Sequence, residues 1–154
     1  QWHVGAGVGL VALDSTYAPG GASALHGAYG ISDMFDARLE LRGSLHEPEG
    51  PGTRRVELFQ GTLGVAYKID IIEWIPYFGV RGGYYRFGSL PDPSWCGGDG
   101  QRCAHGGGIV GTMIGLDYTF ARSAAVGAEI GYDTLLPERG ATSALVRAEY
   151  RWGW

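Results

Sequence analysis

The sequence closes on the stretch Ala144-Leu145-Val146-Arg147-Ala148-Glu149-Tyr150-Arg151-Trp152-Gly153-Trp154. Its even-numbered residues are all apolar or aromatic, and its odd-numbered residues include Arg147, Glu149 and Arg151. Alternation with a period of two residues is typical of a β-strand with one apolar and one polar face. The stretch therefore predicts a long strand that separates an apolar environment from a charged one.

Length and composition limit the classes of protein to which the chain can belong. A chain of 154 residues favours a single domain, residues 1–154. Its longest mostly apolar run, Val4 to Leu13, is interrupted by three glycines and is shorter than the roughly 18 residues of a membrane helix. A net charge of -4 offers no basic surface for nucleic acid. The 28 glycines exceed the usual frequency of about 7%, so many positions require a small side chain.

Eight segments of the chain have the periodicity of strands. They are residues 2–14, 23–33, 37–47, 55–69, 75–87, 109–121, 124–134 and 143–154. Each is close in length to a tilted strand that crosses a bilayer. Short links at 34–36, 70–74 and 122–123 alternate with longer ones at 15–22, 47–54, 88–108 and 135–142. The sequence thus predicts an all-β, eight-stranded antiparallel up-and-down barrel with its long loops at one end.

The two faces of these segments differ in charge and in glycine content. One face is almost entirely apolar, as with Val4, Val8 and Leu10. The other carries most of the in-strand glycines and a nearly balanced set of six cations and five carboxylates: Arg38, Arg42, Lys68, Arg81, Arg147, Arg151, Glu40, Asp117, Glu129, Asp133 and Glu149. Repeated glycine would weaken strands whose charged face lies in water. In a transmembrane barrel that face lines a narrow interior, the lumen, where glycine makes room for paired charges. The pattern favours the transmembrane barrel.

Aromatic residues are sorted by their position along the predicted strands. The larger group lies toward the short links and includes Trp2, Trp74, Tyr118, Phe120, Tyr150, Trp152 and Trp154. A smaller group, Tyr17, Tyr84, Phe87 and Tyr132, lies toward the long loops. Rings of aromatic residues at both ends are typical of barrels that contact the two interfaces of a membrane. Strand propensity alone does not sort aromatic residues by depth.

These features resemble the OmpA/OmpX-type eight-stranded bacterial outer-membrane barrels over the whole chain. The most specific part of the resemblance is the alternating aromatic stretch from Val146 to Trp154, which in that family is read by the outer-membrane insertion machinery. The resemblance implies contact with outer-membrane lipid and lipopolysaccharide, termini in the periplasm and long loops outside the cell. On this interpretation Gln1 is expected to be a mature amino terminus.

Two roles are open for the charged lumen residues. They can form an ion-pair network that fills the interior, or a narrow polar path for protons, ions or small solutes. The network is predicted to include Arg38, Glu40, Arg42, Arg81, Asp117, Glu129, Asp133, Arg147, Glu149 and Arg151. A contact of Glu129 with Arg147 or Arg151 is expected, since an unpaired buried charge costs several kcal/mol. Eight strands leave an interior just wide enough for side chains, which favours packing.

The predicted loop at 88–108 is the clearest candidate for binding a surface partner. It carries Trp95, and Cys96 and Cys103 lie close enough in sequence to form a disulfide in an oxidising compartment. A zinc site would need more ligands than the nearby His105 supplies. A cross-linked loop can hold one recognition conformation, or can merely resist proteolysis.

Enzymatic and soluble alternatives are less well supported by the sequence. His3, His26 and His46 share the charged face, and no histidine, serine and carboxylate come together on the apolar face. We therefore expect no catalytic site of the kind that modifies lipid A, and no metal or cofactor. The remaining alternative is a soluble lipocalin-like barrel, which would place the apolar face inside and the charged face in water.

Overall fold

The computed structural model describes residues 1–13, 17–47, 55–69, 73–88, 106–136 and 139–153. They contain eight strands: β1 (Trp2–Leu13), β2 (Gly20–Gly30), β3 (Phe35–His46), β4 (Val56–Lys68), β5 (Trp74–Phe87), β6 (Gly106–Ala121), β7 (Ala124–Leu135) and β8 (Arg139–Trp152). No helix within these ranges is long and apolar enough to cross a membrane.

Each strand pairs with its sequence neighbours, and β8 pairs with β1, so the sheet closes into a barrel. All pairs are antiparallel. The predicted eight-stranded up-and-down barrel is confirmed. Following paired residues once around the barrel from Trp2 leads to Ala12, ten residues further along β1. This stagger gives a strongly tilted barrel whose interior side chains can fill.

The two faces predicted from the sequence become the outside and the inside of the barrel. Val8, Leu63 and Val146 project outward, and about two thirds of each side chain is exposed (66%, 65% and 65%). Arg81 and Arg147 lie in the interior and are almost completely buried (5% and 3%). A water-soluble barrel arranges these residue classes the other way round. The arrangement contradicts the lipocalin-like alternative.

Several strand boundaries differ from those predicted, and the largest differences are in β2, β6 and β8. β2 begins at Gly20 and ends at Gly30 instead of spanning 23–33, because residues 31–34 form the turn before β3. In that turn the Ser32 hydroxyl accepts hydrogen bonds from the backbone N–H groups of Met34 and Phe35. β6 begins three residues earlier than predicted, at Gly106. These differences change the lengths of the strands and loops. They do not change which residues face the interior.

The connection between β7 and β8 is shorter than predicted. We expected a loop over 135–142, whereas the ladder continues to the pair Leu135 and Arg139. Residues 139–142 of the predicted loop belong to β8 and pair with residues 132–135 of β7. The alternation of short and long connections therefore does not extend to this fourth connection, because backbone pairing satisfies hydrogen bonds that a loop would leave to water.

Candidate functional site: the barrel interior

The interior has two layers, a charged layer toward the short turns and middle and an apolar layer toward the loops. Within the charged layer, Arg147 on β8 is surrounded by carboxylates of two other strands and of its own. Its guanidinium lies 2.9 Å from Asp117 Oδ1, 3.0 Å from Glu129 Oε2 and 3.4 Å from Glu149 Oε1. The expected contact of Glu129 is thus with Arg147, whereas Arg151 lies beside Asp117 and Glu149.

Arg81 on β5 shares one of these carboxylates, Glu129, and contacts two others. Its Nε and Nη2 atoms donate to the two oxygens of Asp133 at 2.7 and 2.9 Å, a bidentate pair. Its Nη1 atom also lies 3.2 Å from Glu129 and 3.4 Å from Glu40. Arg42 completes this side through contacts with Glu40 and Asp133. Glu129 consequently joins the Arg81 side to the Arg147 side.

Tyr77 and Arg38 occupy the centre of the charged layer. The Tyr77 hydroxyl donates to Glu129 Oε2 at 2.8 Å, and the Arg38 guanidinium stacks over the Tyr77 ring at 3.8 Å. Arg38 also lies within 4.0 Å of Asp36, Asp117 and Glu129. An aromatic ring in this position fills volume while stabilising a cation.

Asp36 is an interior residue that the sequence analysis did not assign to the network. The sequence predicts it in the turn before the third strand, but it belongs to β3, is almost completely buried and lies 3.1 Å from Lys68 Nζ. Its position two residues before Arg38 was the available signal, since alternate residues share a face. With Asp36, six buried cations face six buried carboxylates among the described residues. The charged layer is therefore neutral when histidines are neutral.

Two histidines flank one carboxylate at the short-turn side of this layer. His26 Nε2 lies 3.0 Å from Glu149 Oε1, and His3 Nδ1 lies 3.6 Å from Glu149 Oε2. Both rings are buried, as the predicted inward orientation requires. A cavity of about 20 Å³ adjoins His26, Glu40 and Arg147, which is room for about one water molecule.

Interior glycines create the space that these large side chains occupy. A Cβ atom on Gly115 would overlap the hydroxyl of Tyr77, and one on Gly131 would overlap the guanidinium of Arg81. A Cβ on Gly127 would overlap the carboxylate of Asp117. The high glycine content therefore follows from the size of the network, as the sequence pattern indicated.

The apolar layer closes the loop end of the interior. It consists of Val11, Leu13, Tyr17, Val56, Leu58, Tyr85, Phe87, Ile109, Leu135 and Ala141. Tyr17 and Phe87 were expected in an outer aromatic belt, but both are buried here. Phe87 shares its face of β5 with Arg81, so its parity directs it inward. The sequence pattern does not separate this layer from the charged one, because the residues of both layers alternate onto the same face of the strands.

A serine and a histidine lie together beside the apolar layer. Ser44 Oγ is 2.9 Å from His46 Nε2, and His46 Nδ1 is 3.4 Å from the carbonyl oxygen of Ala18. Since a carbonyl only accepts, Nδ1 donates to it and Nε2 accepts from the serine hydroxyl. Both side chains are buried, and within the described ranges no carboxylate hydrogen-bonds to His46. In the described part of the chain the pair therefore has neither the acid nor the access of a hydrolytic triad.

The aromatic residues expected near the short turns lie on the barrel exterior. Trp2 contacts Tyr29, Trp74 contacts Tyr118, and Tyr150 stacks on Trp152. Phe120 is also exposed on this end. Trp154 and the loop residues Trp95, Cys96, Cys103 and His105 lie outside the described residues.

Three solved structures with this fold are outer-membrane or surface proteins by name. Neisserial surface protein A (NspA) superimposes with a TM-score of 0.80 at 15% identity, covering 98% of this chain and 97% of that chain. Outer membrane protein OprG of Pseudomonas aeruginosa has a TM-score of 0.66 at 14% identity, covering 99% and 96%. The outer membrane enzyme PagL has a TM-score of 0.59 at 13% identity, covering 97% and 99%.

These similarities define the class of fold, that of the small eight-stranded outer-membrane β-barrels. The predicted resemblance to OmpA/OmpX-type barrels is confirmed at the level of fold. No protein-family model matches the chain, and no curated protein sequence matches it. At such low identities the fold is shared, and function has to be argued from the residues of this chain.

Proposed function

We propose that the chain is an integral outer-membrane barrel with a sealed interior, which acts at the cell surface as a structural or interaction protein through its long loops. The observation that carries the proposal is the combination of an uncharged exterior over most of the barrel height with a neutral, closely paired interior. The first property suits a lipid environment. The second gives each buried cation of the described residues a carboxylate within 4.0 Å, which leaves none of these charges unpaired to bind or conduct a solute.

Membrane insertion is supported by the residues that the barrel leaves exposed. Leu25, Leu63, Val80 and Ile114 are each about 60% exposed or more, and they belong to a continuous apolar band. Soluble monomers rarely expose apolar patches of such extent. Trp2, Trp74 and Trp152 at the short-turn end have the position of an interfacial aromatic belt.

A sealed interior is supported by both layers. Arg81 and Arg147 are paired with carboxylates at hydrogen-bonding distance, so a migrating ion would have to replace strong internal contacts. The apolar layer, with Leu58 and Leu135 completely buried, opposes the entry of water from the loop end. These features argue against the narrow-pore alternative.

A non-enzymatic role is supported by the surroundings of the Ser44–His46 pair. PagL shares the fold and is an enzyme by name, so the fold alone does not decide this point. In this chain the serine and histidine are buried and no described carboxylate contacts the histidine. Lipid A recovered from cells that express the protein should have an unchanged mass, and a modified lipid A would contradict the proposal.

A loop-based role is supported by the sequence of residues 89–105, which lie outside the described structure. This connection is much longer than the others, and long connections in compact proteins are often functional. Trp95 supplies an aromatic anchor of the kind enriched at binding hot spots. The proposed Cys96–Cys103 disulfide would reduce the entropy lost on binding.

The experiment compares the full chain with a variant lacking residues 92–104. Both are expressed in the outer membrane, cross-linked in intact cells and recovered for identification of partners, and both are tested in planar bilayers. We expect the deletion to abolish cross-linked complexes while folding is unchanged, and both proteins to show negligible conductance. Steady single-channel openings of the full chain, or identical complexes from the two proteins, would overturn the proposal.

A further inference from the structure

The exterior of β1 to β5 contains a depression of about 730 Å³ in the otherwise convex wall of the barrel. This volume is within the range of sites that hold small organic ligands. Its exterior lining includes Val8, Leu25, Leu41, Phe59 and Tyr84, all of them exposed apolar or aromatic side chains. The surface it offers is therefore that of a hydrocarbon-binding groove.

Small residues form the floor of this depression. Ser23, Gly43 and Gly61 lie on neighbouring strands and line it together, and Ser23 pairs with Gly43 across β2 and β3. Large side chains border them: the Phe59 ring lies 3.6 Å from the position that a Cβ on Gly43 would occupy. Leu41 lies at 3.5 Å from the position of a Cβ on Gly61. The depression thus lies where glycine and serine, which have no large side chain, are bordered by large apolar residues.

Arg86 is the outward-facing cation of the depression, whereas Arg42, which also lines it, is buried in the interior. Arg86 lines the depression, projects outward and follows Tyr84 toward the loop end of β5. Among the described residues Arg86 has no ion-pair partner. The nearby Glu57 carboxylate is directed to Gly88 instead, lying 2.8 Å from the position of a Cβ on that glycine. The groove therefore runs from an available guanidinium down an apolar wall.

We propose that this depression binds one lipopolysaccharide molecule, with an acyl chain over Gly43 and Gly61 and a lipid A phosphate at Arg86. This inference rests on the membrane location in the proposed function, since the loop end then lies in the outer leaflet. Arginine pairs well with phosphate through two donors. A lipid with an anionic headgroup and attached acyl chains therefore matches a groove that has a guanidinium at its loop end and an apolar wall below it. Association within lipid depends on close packing, which a fitted groove provides and a convex wall does not.

The test measures binding of purified deep-rough lipopolysaccharide to the full chain in detergent by native mass spectrometry. The double variant Gly43→Leu/Gly61→Leu fills the floor, and Arg86→Gln removes the cation without touching the interior. Gly82→Leu is the matched control because Gly82 also faces outward, and its cross-strand neighbours Leu63 and Val110 do not line the depression. Heat-modifiable migration on a gel reports folding of every variant.

We expect one lipopolysaccharide per wild-type protein and about tenfold weaker binding for Arg86→Gln and for the filled variant, a change of about 1.4 kcal/mol. Gly82→Leu should bind as the wild type does. Equal binding by Arg86→Gln, an equal loss in Gly82→Leu, or equal displacement by phosphatidylglycerol would overturn the proposal. Failure of the wild type to fold into vesicles would instead overturn the membrane location.

Discussion

At the scale of single residues, the barrel interior depends on charges that have been taken out of water in closely matched pairs. Arg147 contacts carboxylates on β6, β7 and β8. The cost of desolvating such groups is offset only when every member keeps its partners. A change at one residue therefore affects several strands at once.

Arg147→Ala should lower the free energy of unfolding by about 3–5 kcal/mol, because Asp117 and Glu129 would each lose a buried partner. The measurement is a urea titration in lipid vesicles followed by tryptophan fluorescence. Arg55→Ala serves as the control, since the Arg55–Glu47 pair is solvent-exposed and such pairs contribute about 1 kcal/mol or less. Equal effects of the two substitutions would contradict the network.

Gly115→Ala should destabilise the barrel by about 1–3 kcal/mol, because the added methyl group overlaps the Tyr77 hydroxyl. Gly21→Ala is the control, as nothing lies within 4 Å of a Cβ at that exterior position. The same urea titration distinguishes them. A Tyr77→Ala background should reduce the effect of Gly115→Ala, and an undiminished effect would show that steric overlap with Tyr77 is not its cause.

At the scale of the element, β8 combines both environments along one strand. Tyr150 and Val146 are exposed on the exterior, while Glu149 and Arg147 are buried between them. The alternation can be read directly from the sequence because neighbouring side chains of a strand point to opposite faces. The pattern does not give the position of each residue along the barrel axis. That position depends on the tilt of the strand and on its pairing with β1 and β7.

Val146→Arg should cost about 2–4 kcal/mol in lipid vesicles, since Val146 lies near the middle of β8 on the exterior. Thr142→Arg, on the same face but nearer the loop end, should cost less. The quantity to compare is again the free energy of unfolding. If both substitutions were tolerated equally, the exterior would not be a membrane surface with a depth profile.

At the scale of the whole molecule, the barrel should behave as an integral membrane protein. We expect it to remain in the membrane fraction after washing at alkaline pH and to require detergent for extraction. An unheated sample should migrate differently from a heated one on a denaturing gel, because the closed hydrogen-bonded barrel resists unfolding. Release into the aqueous fraction without detergent would contradict the membrane location.

The sequence by itself determined the fold class, the number of strands and the inward or outward direction of most side chains. These properties follow from local periodicity and from turn chemistry, which short stretches such as Val146–Trp152 contain in full. The charged interior residues could be named for the same reason, with Asp36 missed because its strand begins earlier than predicted.

Only the tertiary structure decided which charges meet, where the interior becomes apolar, and how short the β7–β8 connection is. Glu129 contacts both Arg81 and Arg147, although these residues lie on three different strands. Such contacts depend on the stagger of ten residues around the closed barrel, a quantity set by all eight strand registers together. No single strand carries that information, because closure is a property of the complete sheet.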